Sequence, residues 1–220
     1  PGRSAACGRD LTLTPIHRRA GVTFGTMTDV PAEHITRPTE PRIEPISEFE
    51  GELAEIMATA LTHDGRPLNI FGTLGKHPKL LKRFNLLGGF LLNKGQVPAR
   101  ERELVILRVG ANARAEYEFG QHTVIGRDCG LTDDEIAALT RDPDAHPWSD
   151  DDRALIALAD DLHADDCVTD ATWSALANRW DDAQLVELLI VAGFYRLVSG
   201  FLNSTGVQLD DGIPGFPGAD

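Results

Sequence analysis

Residues 98–130 read PARERELVILRVGANARAEYEFGQHTVIGRDCG. Pro98 can stand at the entry to a helix, where its missing N–H costs nothing. Leu104 to Val109 is nearly all apolar, the signature of a helix buried on several faces. Gly110-Ala111-Asn112 is expected to close it. A second helix is expected from about Arg114 to Cys129, with Gly130 as the residue after its cap and Leu131 as the apolar partner of that cap. Folded back on each other at the Gly110–Asn112 break, the two form a helical hairpin that sets the core.

Working outward, every flanking stretch reads as helix. Upstream, Ser47 with Glu50 has the spacing of a capping box and predicts a helix through Leu61. Asp64-Gly65-Arg66-Pro67 breaks it. Asn69 to Leu74 predicts a short helix ended by Gly75. Pro78 suits the first turn of the next, with Leu80, Leu81, Phe84, Leu87 and Phe90 as its apolar positions, and Gly95 closes that region. Downstream, Thr132 with Glu135 is a second capping box. Pro143 to Pro147 is a loop, and Ser149 with Asp152 opens a helix to about His163. Thr169 caps another that ends near Trp180, and Asp181 opens the last, Ala183 to Leu202. No period-2 segment of any strength intervenes, so the expected class is all-α. Glu103-Leu-Val-Ile-Leu before Gly110 and Glu187-Leu-Leu-Ile-Val before Gly193 open alike, as a duplicated unit would.

The expected organisation is an N-terminal extension and arm over residues 1–45, a helical domain over 46–212 and a tail over 213–220. Residues 1–26 carry four arginines against one aspartate. Met27-Thr28-Asp29-Val30 reads as a plausible start and residues 1–26 as an upstream extension.

The 220 residues are 42% hydrophobic and 25% charged, with a net charge of −13. That composition is globular. The negative balance speaks against a nucleic-acid or anionic-membrane partner. No apolar run is read as approaching the roughly 18 residues of a spanning helix. Cys7, Cys129 and Cys167 are far apart, with no CxxC and no zinc-like grouping. They predict no metal site and a reducing, cytoplasmic setting.

The chemistry-bearing residues cluster in the second helix of the hairpin. Glu118 and His122 are four apart and share a helix face. A carboxylate beside an imidazole fixes its tautomer and raises its pKa, which suits general acid–base work. A solvated ion pair on an amphipathic helix has the same spacing. Glu103, among apolar neighbours, approaches this face if the hairpin forms, and a carboxylate buried there must be paired. Arg108 is a candidate for a substrate carboxylate, or pairs with a surface acid. Tyr117 is a candidate for a substrate oxygen, or packs at a subunit contact. Gly120, inside a helix, suggests close packing or a pocket wall. Cys129, near a helix C-terminus, and Cys167, between acids, are poorly placed to be thiolates. The other histidines (His17, His34, His63, His77, His146 and His163) read as solvated.

Arg102-Glu-Leu-Val-Ile-Leu-Arg-Val-Gly, Glu116-Tyr-Glu-Phe-Gly-Gln-His and Gly130-Leu-Thr-Asp-Asp-Glu-Ile together resemble the carboxymuconolactone decarboxylase family, which includes the alkylhydroperoxidase AhpD branch. Asn69-Ile-Phe-Gly-Thr-Leu-Gly-Lys-His-Pro and Gln184 to Asn203 extend the resemblance to roughly residues 40–212. It implies an AhpD-like helical fold, trimers or hexamers, no metal or organic cofactor, and a small-molecule substrate. In the peroxidase branch a Glu is followed by eleven residues, a Cys-x-x-Cys, three residues and a His. Here the Glu and His fall on Glu103 and His122, and the two cysteines on Ala115 and Glu118, so both redox thiols are missing. The resemblance therefore implies a lyase or isomerase acting on a small unsaturated or cyclic acid by His/Glu proton transfer, with His122 as the donor, Glu118 and Glu103 around it, and Arg108 and Tyr117 toward substrate. The alternatives are an alkylhydroperoxidase-like antioxidant protein and a non-catalytic oligomeric binding protein.

Overall fold

The computed structural model describes residues 35–218. Cys7, His17, His34 and the start expected at Met27 lie outside the described residues. A compact unit begins at Arg37. Its helices in chain order are α1 (Gly51–Met57), α2 (Asn69–Leu74), α3 (Pro78–Asn93), α4 (Ala99–Asn112), α5 (Glu116–Asp128), α6 (Asp133–Ala138), α7 (Asp150–Asp165), α8 (Asp170–Ala177) and α9 (Asp182–Thr205). The chain is all-α, as its apolar spacing predicts.

The caps explain most of these boundaries. Thr132 and Glu135 form a reciprocal capping box, and Asp181 with Gln184 forms another. Ser149 and Thr169 accept from Asp152 N–H and Thr172 N–H. Each satisfies a donor that the first helical turn leaves open. The box expected at Ser47 and Glu50 is not formed. α1 starts at Gly51, capped by Glu50 without a side-chain bond, because Gly51 takes a left-handed φ of 55° and turns the chain there. His77, read as solvated, instead caps α3 through Nδ1, which accepts from Leu80 N–H.

One feature departs from the sequence expectation. Asp64 and Gly65 both have positive φ, 49° and 76°, and close a two-residue antiparallel hairpin between β1 (Thr62–His63) and β2 (Arg66–Pro67). Asp-Gly is the dipeptide such turns favour. α4 ends at Asn112, within the Gly110–Asn112 stretch expected to close it. The reversal falls at Arg114, held at φ 49°, with Ala115 N–H donating to the Gly110 carbonyl.

The core is built on α4, which packs against α5, α7 and α9. Every residue from Arg102 to Gly110 is buried. A second apolar cluster joins α1, α2 and α3 to Tyr117, Val198 and Leu202. α9 is long and apolar enough to cross a membrane by length and composition, contrary to the expectation that no run approaches that length. Half of its apolar stretch is buried against the rest of the protein, so those side chains form core. Arg42 N–H donates to the Thr205 carbonyl, and Ile213 and Phe216 pack on the core, so residues on both edges of the 46–212 span join the folded body.

Candidate active site

The helical hairpin brings together three of the residues singled out from sequence. α4 and α5 run back past each other, so Glu103 and His122, 19 residues apart, meet with Oε2 and Nδ1 separated by 2.6 Å. One turn before His122 on α5, Glu118 places Oε1 3.1 Å from Nε2. Both ring nitrogens therefore face carboxylates. The second Glu103 oxygen accepts from Arg102, with Nε at 3.0 Å. All are withdrawn from solvent: Glu103 is 0% exposed, Glu118 4% and His122 5%.

Charge balance makes this burial tolerable. Burial alone lowers the His122 pKa, but Glu103 and Glu118 outweigh it and push it up to about 10. Burial likewise raises Glu103, and His122 with Arg102 overrides that and holds its carboxyl below the usual range. Two carboxylates, one imidazolium and one guanidinium sum to zero. The His122 and Tyr195 rings meet in a T-shaped arrangement with centroids 4.8 Å apart.

His122 and Glu118 line a cavity of about 160 Å³ between α3, α5 and α9, walled also by residues 59–61, Leu68, Ile70 and Phe71. A 150 Å³ apolar cavity accommodates a benzene-sized molecule, so this one suits a single ring. Its wall is mostly apolar, with Ile70, Phe84, Ile125 and Phe194 prominent, and among the described residues neither Lys nor Arg lines it.

Tyr117 also lines the cavity, but its hydroxyl is engaged. It donates to Asp210 Oδ2 at 2.6 Å and accepts from Ile70 N–H at 3.3 Å. Gln121 Nε2 donates to the same Asp210 oxygen, and Asn69 N–H to the other. Asp210 thereby ties the segment after α9 to α5. Gly120 faces that segment, where an added Cβ would collide with the Pro214 carbonyl.

Arg108 does not reach the cavity. Its guanidinium grips Asp160 at 2.6 and 2.9 Å and donates to the Leu139 and Arg141 carbonyls, on the opposite side of α4. The Arg108 position is one and a third turns from Glu103 and so points elsewhere. The sequence spacing contains that fact, although the expected role for Arg108 did not use it. Cys129 caps the C-terminus of α5 and does not line the cavity. Burial, then Glu103, raises its pKa. Cys167 is exposed. Among the described residues no group of three or more His, Cys, Asp or Glu is arranged to hold a metal ion.

The family model of carboxymuconolactone decarboxylases matches residues 78–161, which span the whole α4–α5 hairpin. Over those residues the chain is similar to the carboxymuconolactone decarboxylase family. No curated protein matches it. Three solved structures share its fold. An uncharacterized peroxidase-related protein from Silicibacter sp. TM1040 superposes with a TM-score of 0.69 at 16% identity, over 80% of this chain and 96% of that one. The alkylhydroperoxidase AhpD core of an uncharacterized peroxidase-related protein from Ralstonia eutropha JMP134 gives 0.61 at 20% identity, over 67% and 80%. The debrominase Bmp8 gives 0.56 at 14% identity, over 73% and 83%. At these identities the likeness establishes the AhpD-like fold. Set against the peroxidase pattern that the sequence resembles, Ala115 and Glu118 stand at the two cysteine positions, and the Glu118 carboxylate lies beside His122.

Tyr195 and Asn85 are the residues of this site that sequence reasoning missed. Tyr195 sits in an apolar helix and reads as core, and Asn85 lies on an exposed-looking stretch of α3. The i to i+4 rule reveals partners within one helix and says nothing of a neighbour two helices away.

Proposed function

We propose that this protein is an isomerase or lyase that uses its own side chains to move a proton to or from carbon on a small, unsaturated single-ring compound. Glu118 is the group that meets the substrate. The observation that carries this reading is the arrangement of the Glu118 carboxylate. Glu118 lines the cavity; one of its oxygens pairs with His122, and the other has no hydrogen-bond partner among the described residues.

The role expected for His122 shifts accordingly. An imidazolium with a pKa of about 10 stays charged at neutral pH, and both its nitrogens face carboxylates. It orients and charges the site, and Glu118 does the exchange. When Glu118 takes a proton from a carbon next to a substrate carbonyl, the C–H electron pair becomes an enolate. The Glu118, His122, Glu103 and Arg102 group then carries a net charge of +1 beside that −1. Returning the proton to a different carbon completes an isomerisation, and no electrons are gained or lost. In a small dry cavity such pairing of opposite charges is strong.

The expected acid substrate loses its partner, since Arg108 is spent on Asp160. The widely spaced cysteines favour a cytoplasmic setting. Exposed Leu86 and Phe90 on α3 and Val186 and Ile190 on α9 favour self-association.

The test is deuterium uptake from D2O at the carbons flanking the carbonyl of single-ring unsaturated lactones and ketones. Uptake that falls by about 10²-fold or more in Glu118→Gln supports the reading. Equal uptake in that variant, or none with any probe, removes it.

A further inference from the structure

Two donors at the cavity have no occupation. Tyr195 lines the cavity and is only 3% exposed, and no hydrogen bond to its hydroxyl is formed by any described residue. Buried tyrosines normally find a partner for the O–H. Asn85, half-buried on the cavity wall, likewise forms no hydrogen bond with a described residue. The other neutral donors there are spent: Tyr117 and Gln121 on Asp210, Asn93 on the Gly89 carbonyl, and Thr59 on the Ile56 carbonyl. The two donors line one cavity from two different helices, α3 and α9. The residues just before them, Phe84 and Phe194, stack with centroids 5.0 Å apart where α3 crosses α9 at Gly88.

We propose that Tyr195 is a catalytic residue that, with Asn85, donates hydrogen bonds to the carbonyl oxygen of the substrate, and that the substrate enters as an uncharged carbonyl compound. The inference rests on the proton-transfer reading above and deepens it. Three observations converge. Among the described residues the cavity presents neutral donors and neither Lys nor Arg, so an entering carboxylate would be desolvated with only the already paired His122 as a cation. Burial, with Glu118 and Glu103 nearby, pushes the Tyr195 phenol well up, so it stays a donor across the working range and never competes as a base. The charge ledger permits one new negative charge. A neutral ketone or lactone gives a monoanionic enolate matched by the +1 left at Glu118, whereas a carboxylate substrate would become a dianion with half its charge unmatched.

The experiment compares cyclohex-2-enone with cyclohex-1-ene-1-carboxylate by calorimetric titration at pH 7.5, and follows the enone carbonyl stretch by infrared difference spectroscopy. The expected result is that the enone binds at least tenfold more tightly, with its stretch moved to lower frequency. Tyr195→Phe, which keeps the ring against His122, and Asn85→Leu should each weaken enone binding about five- to tenfold, the loss of one hydrogen bond. Each should return the stretch toward its solution value, with thermal melting unchanged. Equal or tighter carboxylate binding overturns the proposal, as does binding of neither probe, or a shifted stretch that survives Tyr195→Phe. Enone binding with these signatures but without deuterium uptake supports the donor assignment and removes the proton-transfer reading, so the two fail separately.

Discussion

His122 Nδ1 and Glu103 Oε2 lie 2.6 Å apart in the hairpin, and no water-accessible face remains on the carboxylate. The pair is a crosslink between α4 and α5 as much as a piece of chemistry. Replacing Glu103 with Leu leaves Arg102 and His122 buried with one carboxylate fewer. Breaking a buried pair from one side costs about 3–5 kcal/mol, because the orphaned charge stays behind. Urea denaturation of Glu103→Leu should show a loss of that order. A midpoint close to that of the parent protein would mean the pair is not the lock described.

The same pair makes stability depend on pH on both sides. His122 is raised from 6.5 to about 10, so its contribution is complete below pH 6.5 and disappears as pH climbs toward 10. Glu103 is lowered from 4.5, so its contribution is complete above that value and disappears as pH falls below it. Stability should peak between roughly pH 5 and 6.5 and decline on the alkaline side by a few kcal/mol, since each unit is worth about 1.4 kcal/mol. His122→Gln should flatten that alkaline limb selectively. Denaturation midpoints taken at several pH values in both proteins decide it, and parallel curves would show that other groups set the slope.

Much of this was legible in the chain. Thr132 with Glu135, Ser149 with Asp152, and Asp181 as a helix start are local signals, and each cap forms where its spacing predicts. Glu118 and His122 were legible for the same reason, since one helix sets their distance. Glu103 needed the hairpin, and the apolar run around it gave that away. What was not legible depends on which way a helix face turns in three dimensions. Arg108 carries the charge a substrate acid needs but faces Asp160. Tyr195 looks like any aromatic core residue until α3 and α5 supply the other walls of its cavity. Asp64-Gly65 breaks the helix pattern in the sequence, and the dipeptide is itself the hairpin signal that the β1–β2 turn uses.

Two glycine substitutions on helices should change stability in opposite directions. Alanine is favoured over glycine in a helix interior by about 1 kcal/mol. At Gly200, inside α9, an added Cβ meets nothing within 4 Å, so Gly200→Ala should gain something near that amount. At Gly120 the added Cβ meets the Pro214 carbonyl and comes within 3.0 Å of Ile213 Cγ2. Overpacking of that kind costs about 1–3 kcal/mol and is expected to win. It should also loosen the segment that Asp210 ties down, raising proteolytic cleavage near residues 210–216. Thermal melts with limited proteolysis read both effects, and a stabilised Gly120→Ala would show that the segment does not press on α5.

Cys129 offers the last contrast, between this chain and the dithiol pattern its hairpin otherwise resembles. A peroxidatic cysteine works as a thiolate, and its neighbours must lower its pKa. Burial and the nearby Glu103 raise that of Cys129, and the C-terminal end of α5 adds partial negative charge beside it. No second thiol stands in the hairpin to resolve an oxidised sulfur, because the matching positions are Ala115 and Glu118. Purified protein given an organic hydroperoxide and a dithiol reductant should consume no peroxide above background, and Cys129→Ser should behave like the parent in deuterium uptake. Peroxide turnover that vanishes in Cys129→Ser would move the chemistry to the far end of α5 and strip Glu118 of its role.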